Sequence, residues 1–247
     1  MPSLATPWPY PFWIAHRGGG RLAPENTLAA FRVGAAHGYK AFECDVKLSA
    51  DDVLFLLHDD TLQRTTDGEG IAGERPWAEL SQLDAGSGHG AAFAGEPPPT
   101  LRALMRAAQA NHWALNLEIK PTPGCEHRTG QAVAHAVARE WTRHTPPPLL
   151  SSFDVAALRA AQEAAPAQPR ALLLDTLWPD WFATALALDC IAVVTHHRWM
   201  DATLVQQLHD AGLRALVYTV NDVELAQRLI GRGVDGIITD AIDRLGP

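Results

Sequence analysis

ALVYTVNDVELAQRLIGRGVDGIITD, residues 215–240, carries a short apolar run (Ala215–Tyr218), a helical run (Val223–Gly231) and a second apolar run (Gly236–Thr239). Two strands joined by a helical crossover lie parallel in one sheet, because a hairpin-length link cannot connect parallel neighbours. The same alternation extends back through the chain. Strands are predicted at Trp13–His16, Ala41–Lys47, Ala114–Glu118, Leu149–Ser152, Ala171–Leu174 and Ile191–Val194, which with the two above makes eight. Helices are predicted at Thr27–His37, Leu101–Ala110, Gly130–Arg143, Val155–Ala164, Trp178–Ala187 and Ala202–Ala211, besides Val223–Gly231. The pattern predicts an α/β protein, a distorted (β/α)₈ TIM barrel whose last helix is a stub or is supplied by the N-terminal segment. A chain of 247 residues accommodates one such barrel as a single domain.

One apolar run is left over. Val53–Leu57 follows the Ala41–Lys47 strand too closely for a helical crossover, so it is expected to fold back as an antiparallel hairpin. With Asp51 and Asp52 at the tip, Ala50 pairs with Val53, and Asp45 falls opposite His58. The next stretch, residues 59–99, is rich in glycine and proline, with helix expected only around Trp77–Leu83. It reads as a small inserted subdomain near the active face, suited to a lid or specificity role. Thr145-Pro146-Pro147-Pro148 reads as a rigid entry to the next strand.

Composition narrows the function. With 47% hydrophobic and 19% charged residues, the chain has the means to bury a sizeable core. A net charge of −8 with scattered basic residues argues against nucleic acid as a partner. No apolar run approaches a membrane span, and Met1–Phe12 lacks the basic start and apolar stretch of a secretory signal, so a cytoplasmic location without stable membrane association is expected. Cys44, Cys125 and Cys190 are far apart and suit reduced thiols better than disulfides or a zinc site. Trp178, Trp181 and Trp199 could pack a homodimer, although the simpler reading has them covering the barrel between helices.

His16-Arg17-Gly18-Gly19-Gly20, Glu43-Cys44-Asp45, His58 and Glu118-Ile119-Lys120 bring two histidines, three carboxylates and two cations mostly to strand ends. In such barrels the C-terminal strand ends carry the chemistry. Glu43 and Asp45, two apart on one strand, share a side, and Glu118 on the neighbouring strand completes an oxygen-rich set for Mg²⁺ or Ca²⁺. Taken alone, the ExD pair would read as a solvated strand end; the neighbouring Glu118 and histidines favour a metal. His16 and His58 are candidates for paired acid and base roles, whereas His37, His112, His135 and His209 on helical runs read as ordinary histidines. Arg17 and Lys120, otherwise an ion pair and a strand cap, fit phosphate oxygens beside such a metal. Pro24-Glu25-Asn26-Thr27 reads as a helix start with Asn26 or Thr27 as cap, and Glu25 and Asn26 could also brace the site. The cluster points to phosphodiester chemistry.

On these residues the chain resembles the glycerophosphodiester phosphodiesterase family. The matching stretches are AHRGG (Ala15–Gly19), PENT (Pro24–Thr27), Glu43 and Asp45, LLHDDTLQRTTDGEG (Leu56–Gly70), LEIKP (Leu117–Pro121), SSF (Ser151–Phe153), YTVN (Tyr218–Asn221) and DGIITD (Asp235–Asp240). GGGRLAPENTLAAF (Gly18–Phe31) and TDAIDRLGP (Thr239–Pro247) are similar to the cytosolic bacterial members that accompany glycerol 3-phosphate uptake. The resemblance implies metal-dependent hydrolysis of small-molecule glycerophosphodiesters, such as glycerophosphocholine or glycerophosphoethanolamine, to sn-glycerol 3-phosphate and an alcohol. It implies Glu43, Asp45 and Glu118 as ligands of one divalent cation, Mg²⁺ or Ca²⁺, His16 and His58 as acid and base, and Arg17 and Lys120 on phosphate. Cys44 stands where a larger apolar residue is common, and Tyr218 where many members carry tryptophan, departures that bear on packing and the glycerol pocket. The attacking group is water, or the neighbouring glycerol hydroxyl acting through a cyclic phosphate, a route favoured by similarity to phosphoinositide-cleaving phospholipases C. Rival readings are a phospholipase, for which no apolar rim is evident, and a silent barrel that only binds glycerophosphates.

Overall fold

The computed structural model describes residues 7–142 and 146–247. In chain order the elements are β1 (Trp13–Ala15), α1 (Leu28–Ala36), β2 (Ala41–Leu48), β3 (Leu54–Leu56), α2 (Trp77–Leu80), α3 (Leu101–Asn111), β4 (Ala114–Ile119) and α4 (Glu126–Glu140). There follow β5 (Leu149–Ser152), α5 (Val155–Ala164), β6 (Arg170–Leu174), α6 (Trp181–Ala187), β7 (Ala192–His196), α7 (Ala202–Asp210), β8 (Arg214–Tyr218), α8 (Val223–Arg232) and β9 (Gly236–Thr239). Every strand except β3 runs parallel in a ring of order β1-β9-β8-β7-β6-β5-β4-β2, closed by β1 on β2, so the chain is a TIM barrel. Several helices start at a side chain that accepts a backbone N–H: Thr27, Thr100, Asp154, Asp201 and Asp222 cap α1, α3, α5, α7 and α8.

Outward-facing strand residues such as Phe42, Cys44, Val46, Leu115 and Leu117 pack with the helices. Inside the barrel, Ile14, Leu149, Val194, Leu216 and Ile238 form the floor together with four alanines, Ala41, Ala114, Ala171 and Ala192. The small alanines leave room for Tyr10, which is buried there, its ring 4.7 Å from Trp8 and its hydroxyl donating to the Pro147 carbonyl at 2.7 Å. The N-terminal segment thus fills the bottom of the barrel, and a single turn at Ala241–Leu245 stands where a last helix would be.

Some sequence expectations need correction. The hairpin forms, but Val46 pairs with Leu56 and Lys47 with Phe55, so Leu57 rather than His58 faces Asp45. The cause is the turn: Asp52 takes a left-handed conformation (φ 66°), and Ser49 N–H bonds the Val53 carbonyl, giving a three-residue loop instead of two. Helix α4 starts at Glu126, upstream of Gly130, and stops at Glu140; its expected end, Arg143, lies outside the described residues, as does Thr145 of the proline segment. Helix α6 starts at Trp181 rather than Trp178, because Pro179 disfavours helix at the residue before it and Asp180 is left-handed. Trp181 is buried between strands and helices and Trp178 packs on the same cluster, while Trp199 is 37% exposed and donates its indole N–H to the Asp175 carbonyl at 2.8 Å.

Residues 59–99 are not structureless. Leu62, Ala72 and Leu80 form an apolar cluster with Phe55 and Leu57 of the hairpin, bordered by Trp77 and Leu83. Asp84 ties the distal loop by accepting the backbone N–H groups of Gly86, Ser87 and Gly95.

Candidate active site

Alternation on β2 turns Glu43, Asp45 and Lys47 to one side of the strand, and on β4 it does the same for Asn116 and Glu118. The β2–β4 register sets Glu43 beside Asn116 and Asp45 beside Glu118. One carboxylate oxygen from each of Glu43, Asp45 and Glu118 lies within 4.8 Å of the others, and all three residues are buried. Burial and the Asp45 charge push the Glu43 and Glu118 carboxyls well above the usual range. Burial acts on Asp45 in the same sense, but Arg17, His58, Lys120 and the Asn26 amide outweigh it and hold Asp45 ionised. Glu43 Oε1 is buried without a hydrogen-bond partner among the described residues. Three crowded carboxylates with a spare lone pair form a hard-oxygen donor set that fits a divalent cation such as Mg²⁺ or Ca²⁺.

The two imidazoles are each anchored through Nδ1. His16, just past β1, meets Asp240 Oδ1 at 2.6 Å, with its Nε2 3.7 Å from Glu43 Oε2. His58, beyond the end of β3, meets Asp59 Oδ1 at 2.6 Å, with its Nε2 3.0 Å from Lys120 Nζ. A carboxylate on Nδ1 fixes the proton there and leaves Nε2 to exchange one with a ligand. Burial lowers the affinity of His16 for a proton, but Asp240 and Glu43 more than restore it, so its pKa rises. Burial, with Arg17 and Lys120 nearby, takes the His58 pKa below its ordinary value.

Arg17 adopts a left-handed backbone (φ 50°) that lets its N–H donate to Glu43 Oε2 at 3.0 Å while Nε lies 3.4 Å from Asp45. Asn26, also left-handed, clasps Asp45 twice, Nδ2 donating to Oδ2 at 2.8 Å and Oδ1 accepting the Asp45 N–H at 3.1 Å. Lys120 donates to Glu118 at 3.1 Å and lies 5.7 Å from the Phe153 ring. Tyr218 packs edge-on to Phe153 at 5.8 Å and donates its hydroxyl to the Leu174 carbonyl. A cavity of about 160 Å³ is lined by His16, Glu43, His58 and Glu118 together with Phe153 and Tyr218.

The decisive comparison is with sequence families: the glycerophosphoryl diester phosphodiesterase model matches residues 16–244. The chain belongs to that family. A glycerophosphodiester phosphodiesterase of Caldanaerobacter subterraneus subsp. tengcongensis is 33% identical over 231 residues, spanning 92% of this chain and 93% of that one. Another, from Bacillus altitudinis, is 27% identical over 94% and 95% of the two chains. Among solved structures, an Oleispira antarctica phosphodiesterase in complex with the product sn-glycerol-3-phosphate aligns with a TM-score of 0.90 at 37% identity, covering 95% of each chain.

In this glycerophosphodiester phosphodiesterase His16, Arg17, Glu43, His58, Glu118 and Tyr218 line one cavity, and Asp45 and Lys120 contact that lining, Asp45 at Arg17 and Lys120 at Glu118 and His58. Several neighbours were not read as site residues. Asp240, itself held by Asn221 Nδ2 at 3.0 Å, could have been found as an acid at the C-terminal end of a strand. Asp59 adjoins His58, and its proximity was the available signal. Lys47, fully buried, donates to Asp60 at 2.7 Å and to the Lys120 carbonyl at 3.3 Å, tying the chain on both sides of the site. Among the described residues no helix is long and apolar enough to cross a membrane.

Proposed function

We propose that the enzyme uses a divalent cation and two histidines to hydrolyse glycerophosphodiesters, such as glycerophosphocholine and glycerophosphoethanolamine, to sn-glycerol 3-phosphate and the free alcohol. One observation carries the reading: a tight carboxylate trio sits at a cavity shared by two imidazoles, each with Nδ1 on a carboxylate. The product bound in the Oleispira relative supports the substrate class. Glu43, Asp45 and Glu118 would hold Mg²⁺ or Ca²⁺, which when bound supplies positive charge to the phosphate oxygens. Arg17 and Lys120 add to that charge. Nε2 of one histidine takes the proton of the attacking oxygen, and Nε2 of the other delivers a proton to the departing alkoxide. Asp240 and Asp59 keep both rings in the tautomer this exchange requires. Tyr218 and Phe153 offer an apolar wall to the glyceryl carbons. Residues 59–99 act as an inserted subdomain of one barrel domain, bringing Asp59 and Arg64 to the site.

The test is release of glycerol 3-phosphate from glycerophosphocholine by purified protein with Mg²⁺, Ca²⁺ or EDTA. Release is expected only with metal, with His16→Ala lowering kcat by about 10²–10⁴-fold and Glu43→Ala abolishing the metal response. Turnover that ignores EDTA, or no release from folded protein under either metal, would overturn the reading.

A further inference from the structure

The geometry points to Asn116 as the residue that reads a hydroxyl of the glyceryl group on the floor of the cavity, an inference that rests on the phosphodiesterase reading above. Asn116 is 4% exposed yet lines the cavity, and its Nδ2 is buried with no hydrogen-bond partner among the described residues. Its other end is engaged, since Oδ1 accepts the Ser151 hydroxyl at 2.8 Å, and Ser151 is itself fully buried. The Glu43 carboxylate beside Asn116 in the sheet and Glu118 two residues along make the amide donor, not its oxygen, the end that electrostatics favours toward the cavity. A buried donor without a partner is destabilising, so one kept at a cavity floor is available to a ligand oxygen.

Which oxygen follows from the surroundings. Apart from Arg17 Nε, which lies 3.4 Å from Asp45, two buried side-chain atoms of the cavity residues lack hydrogen-bond partners among the described residues, Glu43 Oε1 and Asn116 Nδ2, and they differ in chemistry. The first is an anionic acceptor suited to a cation, and the second is a neutral donor suited to an uncharged oxygen. Phosphate oxygens already have Arg17, Lys120 and the cation. The uncharged lining besides Asn116 is Phe153, Leu173, Tyr218 and Ile238 with Thr219 and Ser151, and the Tyr218 hydroxyl proton is directed to the Leu174 carbonyl. Asn116, oriented by Ser151, is therefore the donor positioned to tell a polyol from an alkyl group of the same length.

The experiment compares binding of sn-glycerol 3-phosphate, n-propyl phosphate and inorganic phosphate by calorimetry in saturating Mg²⁺, for wild type, Asn116→Ala and Ser151→Ala. Wild type is expected to prefer glycerol 3-phosphate over propyl phosphate by about tenfold. Asn116→Ala should bind the two alike with unchanged affinity for inorganic phosphate and Mg²⁺, and Ser151→Ala should lose part of the preference. Because both ligands are measured on the same variant, a loss of folded fraction cancels. Preference retained in Asn116→Ala, or parallel loss of phosphate and Mg²⁺ affinity, overturns the inference alone. A wild type that binds phosphate but shows no preference for glycerol 3-phosphate overturns the phosphodiesterase reading and the inference together.

Discussion

Glu25 shows how single residues connect the barrel to the inserted segment. It accepts from Arg17 Nη1 at 2.8 Å and from both Arg64 Nη groups at 2.8 Å, and Arg64 also donates to Asp59 at 2.6 and 2.9 Å. The chain Arg17–Glu25–Arg64–Asp59–His58 thus couples the Arg17 guanidinium to an imidazole. Burial alone would raise the Glu25 pKa, but Arg64 and then Arg17 take it below the ordinary value. The folded state therefore binds this proton less tightly than the unfolded chain, so the contribution is complete above the ordinary glutamate range and is lost as pH falls below that range through the lower folded-state pKa. Melting curves of wild type and Glu25→Gln are expected to differ most at about pH 6 and to draw together progressively as pH falls below the ordinary glutamate value of about 4.3; a gap independent of pH would contradict this. At this scale the residues legible in the sequence were those with unusual chemistry at strand ends. Arg64 was not legible, because nothing local separates an arginine that closes an ion-pair chain from one on a solvated turn.

Among the elements, α4 and α5 make the closest helix pair, and Gly130 permits it, since a Cβ there would run into the carbonyl oxygen of Ala157 on α5. Alanine is otherwise the better helix former by about 1 kcal/mol, but a backbone atom cannot swing aside as a side chain can. Gly130→Ala is therefore expected to destabilise the protein by about 1–3 kcal/mol, read from urea unfolding, and a gain in stability would refute the packing argument. The sequence pattern begins this helix at Gly130, whereas it starts at Glu126, and nothing local in the sequence marks the glycine as a helix contact. The hairpin shows a second limit. Its existence followed from the short link between two apolar runs, but its register depended on Asp52 adopting a left-handed conformation, which alternation does not reveal. His58 reaches the site all the same because it lies past the ladder, where Asp59 and Lys120 rather than strand pairing orient it.

Taken whole, the molecule was legible in its eight parallel strands, because strands covered on both faces read as apolar runs between helical ones. The plug at the bottom was not, since residues 8–10 carry no periodic pattern and matter only through the alanine-lined space they enter. Tyr10→Ala is expected to cost about 3–5 kcal/mol and Tyr10→Phe, which loses only the bond to Pro147, about 1 kcal/mol; equal effects in thermal unfolding would mean that the ring does not fill the barrel. The ring of strands also closes on itself at β1 and β9, and the same junction brings Asp240 to His16 across 224 positions of sequence. This has a consequence for biosynthesis. While the chain is still threading out of the ribosome, its first strand has no second neighbour and its first histidine lacks the Asp240 carboxylate, however much of the middle has emerged. A product that stops short of β9 therefore has neither the closed ring nor the Asp240 partner of His16.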